Sequence, residues 1–266
     1  GDGTTGNKSS PVQILQGVSS VSLGGARTCA IKTDNSLWCW GYNQYGQLGD
    51  GTTVNKSTPV QITQGVSSVS LGGSHTCAIK TDNSLWCWGA NWSGQLGDGT
   101  TWDSPSPVQI APQDVSSVSL GGSHTCAIKT DNSLWCWGYN QYGQLGDGTT
   151  WDSPSPVQIT QGVSSVSLGY YHTCAIKTDN SLWCWGRNLE GQLGDGTYGG
   201  NKSSPVQITQ GVSSVSLGDS HTCAIKTDNS LWCWGANWSG QLGDGTTVDK
   251  SSPVQITQGV SSVSLG

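Results

Sequence analysis

Short runs of apolar and small polar residues, broken by Gly, Asn and Pro, make up the whole chain and predict β-strands. In the stretch from Gly17 to Ile62, Val18-Ser19-Ser20-Val21-Ser22-Leu23 reads as a strand ended by Gly24-Gly25. Its small side chains suit an inner strand, where neighbouring units converge on an axis. Thr28–Lys32 and Leu37–Trp40 flank Thr33-Asp34-Asn35 and predict a hairpin, with Asn35 in the left-handed position that Gly often fills. Pro59-Val60-Gln61-Ile62 predicts a last strand, because Pro is tolerated at a strand start or edge.

The hairpin's register follows from its side chains. With Cys29 opposite Cys39, Ile31 faces Leu37, Ala30 faces Trp38 and Thr28 faces Trp40. Cys, Ile and Leu then share one sheet face, while Ala and Thr leave room for Trp on the other. Opposed residues at a non-hydrogen-bonded site have Cα atoms ~4.5 Å apart, within disulfide range. Both faces are apolar, so each must be covered, as in a sheet sandwiched between like sheets.

This pattern recurs. HTCAIKTDNSLWCWG begins almost verbatim at His75, His124, His172 and His221, with a variant at Arg27, at a period of 48 or 49 residues. Such a period marks a repeat architecture. The expectation is all-β: a β-propeller or propeller-like array of four-stranded blades, forming one repeat domain over residues 1–266. The repeats are approximately 1–48, 49–96, 97–145, 146–193 and 194–242, with a partial sixth at 243–266. The Pro-Val-Gln-Ile strand and the Val-Ser-Ser-Val-Ser-Leu strand each occur six times against five hairpins. The sixth sector thus has an outer strand from the N-terminus and an inner strand from the C-terminus. The chain begins and ends in mid-repeat, which suggests a processed chain or a stretch of something longer.

Composition narrows the function. Charged residues are only 11% and the net charge is −6, so no basic patch exists for nucleic acid. Fourteen Trp and regular aliphatic spacing oppose disorder. A charge-poor surface offers little repulsion against self-association. No apolar run approaches the ~18 residues of a membrane span. The pairs Cys29/Cys39, Cys77/Cys87, Cys126/Cys136, Cys174/Cys184 and Cys223/Cys233 point to five disulfides and a secreted or cell-surface protein. Reduced, buried thiols are the alternative, and the spacing is not that of a zinc knuckle.

Candidate chemistry is sparse. Gly-Gln-Leu-Gly-Asp-Gly-Thr recurs from Gly46, Gly94, Gly143, Gly191 and Gly240, but lacks the Lys-Ser of a phosphate loop and the oxygens of a calcium loop. The four histidines share one repeat position, which Arg27 breaks, so hydrogen bonding is expected rather than a metal ring. One Glu (Glu190) and repeat-identical Asp residues offer no catalytic set. No enzyme activity, metal or cofactor is expected. Variation falls in the turn before the hairpin, in the tetrapeptide after Trp-Gly and in the long loop that follows, and varied loops on a fixed scaffold are where binding resides. They carry Tyr42, Tyr45, Trp92, Trp102, Tyr139, Tyr142, Trp151, Tyr198 and Trp238, which suit sugar stacking, a protein contact, or packing between blades or subunits. Asn-x-Ser sequons at Asn7, Asn55, Asn91, Asn201 and Asn237 are candidate glycosylation sites in loops.

Gly-Gln-Leu-Gly, a Pro-Val strand, a Ser-Leu-Gly-Gly turn, His-Thr-Cys-Ala and a Trp-Cys-Trp-Gly end together resemble the repeat of the regulator of chromosome condensation family. The resemblance covers essentially the whole chain and implies a propeller of four-stranded blades. The Cys-bearing form is similar to repeats in secreted bacterial proteins. The eukaryotic namesake is a seven-bladed nuclear exchange factor for a small GTPase, whose exchange loops have no match here. A bacterial relative is a secreted propeller that inhibits β-lactamase through loop aromatics. Seven blades need about 336 residues at this period, leaving a fragment, a smaller ring, or an open array completed by another chain. The expected role is a secreted structural scaffold that self-associates, into a homo-oligomer or an extracellular filament. The alternative is a discrete propeller module holding a protein or glycan ligand.

Overall fold

The computed structural model describes residues 1–111 and 113–265, and all regular structure among them is β. Twenty strands form five four-stranded antiparallel sheets, each in chain order. The first blade holds β1 (Val18–Gly24), β2 (Arg27–Lys32), β3 (Leu37–Gly41) and β4 (Lys56–Thr63). The second holds β5 (Val66–Leu71), β6 (His75–Lys80), β7 (Leu85–Gly89) and β8 (Ser104–Ile110). The third holds β9 (Val115–Leu120), β10 (His124–Lys129), β11 (Leu134–Gly138) and β12 (Ser153–Thr160). The fourth holds β13 (Val163–Leu168), β14 (His172–Lys177), β15 (Leu182–Gly186) and β16 (Lys202–Thr209). The fifth holds β17 (Val212–Leu217), β18 (His221–Lys226), β19 (Leu231–Gly235) and β20 (Lys250–Thr257). The Ser-rich strands β1, β5, β9, β13 and β17 are innermost and pack side by side in that order.

Every hairpin adopts the register its side chains imply. Cys29 pairs with Cys39, Ala30 with Trp38 and Ile31 with Leu37, and the other four hairpins match. The loop closes on itself: the Asp34 carboxylate accepts the Ser36 amide (3.0 Å) and hydroxyl (2.6 Å), and that hydroxyl accepts the Trp38 Nε1–H at 2.9 Å. Asn35 takes the left-handed conformation at φ 62°, which Asn tolerates better than most residues.

The five bridges are Cys29–Cys39, Cys77–Cys87, Cys126–Cys136, Cys174–Cys184 and Cys223–Cys233, each with Cα atoms 4.1 Å apart. That is closer than the ~4.5 Å of an ordinary non-hydrogen-bonded pair. These are the five pairs that the sequence points to, and they are bridged rather than reduced. Cys87, Cys136 and Cys184 are fully buried, as are their partners Cys77, Cys126 and Cys174, yet all six are bridged. The physical reason is that the bridge lies on a blade face that the next blade covers. On the other side of the hairpin the ladder is less regular. Cys87, Cys136 and Cys184 pair with Val108, Val157 and Val206 of the outer strands, and the register shifts before Gly89, Gly138 and Gly186. Such irregularities bend a strand locally.

The disulfide-bearing face of each blade packs on the Trp-bearing face of the next. Cys29, Cys39, Ile31, Leu37 and Leu48 meet Val66, Leu71, Ala78 and Trp88 of the second blade. Three further interfaces repeat this arrangement. Both faces of a central hairpin are therefore buried, as β6 illustrates from His75 to Ile79. The Gly-rich loop reaches across the interface and fits closely. Gly97 has φ +83°, and a Cβ there would lie 2.5 Å from Trp137 Nε1, so only glycine suits that position.

Among the described residues the sixth sector does not form a sheet. Gly1 lies against Trp40 much as Gly49 lies against Trp88, and the Gly3 amide donates to the Ser57 carbonyl as Gly51 does to Pro105. At the other end, the Val260 amide donates to the Asn229 carbonyl at 3.0 Å and the Leu265 amide to Ser216 Oγ at 3.0 Å. Val263 and Leu265 rest on the Cys223–Cys233 face. Residues 260–265 thus take an inner-strand place beside the fifth blade. The opposite end is barer: Val18, Val21 and Leu23 of β1 are 40, 61 and 73% exposed, against 0% for Val66 and 9% for Leu71.

Each bridge closes a loop of about ten residues, and limiting the unfolded chain in this way contributes roughly 2.5–3 kcal/mol. The double variant Cys126→Ala/Cys136→Ala is expected to lose about that much in urea unfolding. A loss below about 0.5 kcal/mol would show that the bridge does not stabilise the blade.

Candidate binding surface

Antiparallel order puts the turn between the first and second strands and the loop between the third and fourth strands of every blade at the same end of its sheet. All three variable segments therefore lie in connections at one end of the sheets. The bridged cysteines, Cys87, Cys136 and Cys184 among them, lie buried between blades and take no part in this surface. In every blade the loop between the third and fourth strands is built around a fully buried asparagine: Asn43, Asn91, Asn140, Asn188 or Asn237. The Asn140 amide N–H donates to Asp152 Oδ1 at 2.8 Å, and its Oδ1 accepts the Leu145 amide at 2.9 Å. Its Nδ2 donates to Asp147 Oδ1 (3.2 Å) and to the Trp151 carbonyl (3.0 Å). The tetrapeptide after Trp-Gly is therefore fixed at its second position and varies around it. The signal was present in the sequence, since that position is Asn in all five copies, with an Asp seven residues on.

The loop carboxylates are also engaged internally. Asp50, Asp195 and Asp244 pair with Lys56, Lys202 and Lys250 at 3.0, 3.3 and 3.2 Å. Among the described residues no cluster of three or more His, Cys, Asp or Glu has metal-binding geometry.

The histidines form a belt of contacts between blades. His75 Nε2 lies 2.8 Å from Thr125 Oγ1, His124 Nε2 3.0 Å from Thr173 Oγ1, and His172 Nε2 2.9 Å from Thr222 Oγ1. Each threonine hydroxyl donates its one proton to a main-chain carbonyl of the preceding blade: Thr125 to Gln95, Thr173 to Gln144 and Thr222 to Gln192. The hydroxyl can then only accept from histidine, so Nε2 carries the proton and Nδ1 is bare. The same Gln95, Gln144 and Gln192 carbonyls accept Nε1–H from Trp137, Trp185 and Trp234 at 3.0, 2.9 and 3.0 Å. Burial holds His75, His124 and His172 neutral, at about 3 rather than 6.5. Arg27 does the same work differently, its Nη2 donating to the Gly72 and His75 carbonyls at 3.0 and 2.6 Å. Burial lowers Arg27 to about 10, which leaves it charged at neutral pH.

The structure distributes the aromatic candidates unevenly. Tyr45 packs edge-on against Trp92 of the next blade, ring centroids 5.0 Å apart, with Tyr42 behind it. Trp102 and Trp151 project from the long loops at 80% exposure, and Trp238 is also exposed. Tyr198 is exposed but donates its hydroxyl to the Asp249 carbonyl at 2.9 Å. Tyr139 and Tyr142 join two residues outside the sequence-based set, Tyr170 and Tyr171, in a four-ring cluster. The tyrosine pair's departure from Gly-Ser at that turn was the available signal. An opening of about 330 Å³ lies on the axis, lined by the leucines and glycines that end the inner strands and by Tyr170 and Asp219.

Two sequons are corrected. Asn91 and Asn237 are fully buried, and each Nδ2 is committed to an Asp, Asp98 or Asp244, so neither can carry a glycan in the folded chain. Asn7, Asn55 and Asn201 are exposed.

Two measurements test the belt. Depressed histidine values mean that the unfolded chain binds protons first as pH falls. Stability is full above about pH 6.5 and declines toward pH 3 as His75, His124 and His172 resist protonation. Lowered carboxylates such as Asp34 and Asp82 count only below their ordinary 3.8. The urea midpoint should therefore fall between pH 6.5 and pH 4, and a flat profile there would contradict the burial. Separately, Thr125→Val strips His75 and the Gln95 carbonyl of a buried partner and should cost about 1–3 kcal/mol. Thr28 has no such partner among the described residues, so Thr28→Val should stay within about 0.5 kcal/mol; equal losses would contradict the account.

Solved structures share this architecture. Human WBSCR16 superposes with a TM-score of 0.82 at 24% identity, over 94% of this chain and 70% of that one. Yeast RCC1 (Prp20), solved bound to Kap60, gives 0.79 at 19% identity, over 91% and 61%. Prp20p from Saccharomyces cerevisiae gives 0.76 at 22%, over 91% and 63%, so the chain spans less than two thirds of the Prp20 chains. These identities speak for the fold alone. A search of curated protein sequences finds no match. The RCC1-like domain model matches residues 1–266, and with five repeats of the same blade throughout, the chain belongs to the RCC1-like domain family.

Proposed function

We propose that this chain is a non-enzymatic extracellular scaffold that associates with copies of itself, through the blade faces that its own neighbours leave bare, and so extends into an oligomer or filament. The observation that carries the reading is the exposure of Val18, Val21 and Leu23 on β1. That surface is the acceptor face that the other four blades bury against a disulfide-bearing neighbour. Residues 260–265 lie on the fifth blade as an inner strand outside any sheet, and an unpaired strand edge is a template for another chain. Few charges oppose such contact, with 11% charged residues overall.

The five disulfides support an oxidising location. The scaffold role is supported by the internal engagement of conspicuous polar groups: Asp50, Asp195 and Asp244, the buried asparagines, and His75, His124 and His172 bond within the chain. The bridged propeller supplies rigidity, as a building block requires.

Light scattering after size exclusion, over a concentration series, tests the reading. Mass is expected to rise above that of one chain with increasing concentration, and Val21→Asp/Leu23→Asp should return it to one chain without lowering the urea midpoint. A single-chain mass at every concentration would overturn self-association.

A further inference from the structure

In a chain of near-identical copies, one-off residues stand out, and several of them converge. Tyr170 and Tyr171 replace the Gly-Ser of the second and third blades, Asp219 replaces the Gly, and Arg187 and Glu190 occur in one tetrapeptide only. These residues come from two blades and two kinds of loop. Tyr142, Tyr170, Tyr171, Arg187, Asp219 and Ser220 nevertheless line one open cleft of about 280 Å³. Independent drift in separate loops has no reason to meet at one place.

The chemistry of the cleft is specific. Tyr170 is 45% exposed and is held edge-on by Tyr171, centroids 4.5 Å apart at 80°. Tyr171 is braced in turn by Tyr142 at 5.0 Å. The exposed ring is therefore a fixed apolar platform. Arg187 Nη2 donates to Glu190 Oε1 at 2.8 Å and Nη1 to Ser220 Oγ at 3.3 Å. Its guanidinium is thereby oriented and its charge balanced, so it presents N–H donors without recruiting an anion. Asp219, exposed at the rim, is an acceptor. An aromatic plate beside fixed donors and a carboxylate matches a ring with C–H groups on its face and hydroxyls at its edge. Anionic ligands are disfavoured by Asp219, Glu190 and the net charge of −6. A peptide anchor would need a deep apolar pocket, whereas this cleft is open and rimmed by polar groups.

We propose that this cleft binds a neutral oligosaccharide, one hexose ring stacking on Tyr170 while Asp219, Arg187 and Ser220 hold its hydroxyls. Tyr170 also borders the axial opening, which gives room for neighbouring sugar units. The inference is independent of self-association, since the residues lining the cleft come from the third to fifth blades and none from the first.

The test is isothermal titration and saturation-transfer NMR with chitotetraose, cellotetraose and maltotetraose, and with a hexapeptide library. The control is Tyr170→Gly/Tyr171→Ser/Asp219→Gly, which restores residues that already fold in the second and third blades. At least one tetrasaccharide should bind, with transfer from tyrosine ring protons, and the triple variant should weaken it about tenfold or more. Binding of none of the three sugars, equal binding by the variant, or binding of peptides alone would each overturn the proposal.

Discussion

The fold depends on one repeated contact: a glutamine main-chain carbonyl that takes both a tryptophan N–H and a threonine O–H from the next blade. Around the Gln95 carbonyl, Trp137 Nε1 sits at 3.0 Å and Thr125 Oγ1 at 2.8 Å, and Thr125 in turn receives His75 Nε2 from the second blade. The contact is dry, because Trp137, Thr125 and Gln95 are fully buried, so each partner lost leaves an unsatisfied group. It fixes the spacing and rotation of successive blades. The aliphatic packing around it supplies area, while the hydrogen bonds select one arrangement.

The disulfides strengthen what this contact orients. A hairpin with Cys29 opposite Cys39 presents a flat face that a neighbour's Ala78 and Trp88 can approach closely. Because the same two faces recur on every blade, the molecule is an array in which each unit stabilises the next. The terminal blades carry the same faces with less to cover them. Self-association and ligand binding then occupy different parts of one scaffold: the first belongs to the blade faces, the second to loops at the ends of the sheets.

Most of the fold was legible in the sequence, because period-two patterning, turn residues and a 48- or 49-residue repeat all point the same way. The register of Cys29, Ala30 and Ile31 followed from size matching across two strands, which is a local matter. That Cys87, Cys136 and Cys184 are both bridged and buried was not local, because burial there needs the face of the next blade. The buried role of Asn140 was hidden for a similar reason. A polar residue in a loop rich in Gly, Gln and Tyr looks exposed, and only the fold closes five hydrogen-bonding groups around it. Asn91 and Asn237 misled in the same way, as sequons in loops that turn out to be interior. The tyrosine cleft was half visible: Tyr139 and Tyr142 stood out as aromatics, but Tyr171 reaches them only because the turn of one blade overlies the loop of its neighbour.

The most direct measurement of the central claim is a ¹⁵N NMR pH titration of the four histidine rings. Three rings, those of His75, His124 and His172, should show the neutral Nε2–H tautomer and remain unprotonated to pH 4. The half-buried His221 should titrate above those three. Four rings that titrate together near pH 6.5, or an Nδ1–H tautomer in the three buried ones, would contradict the account.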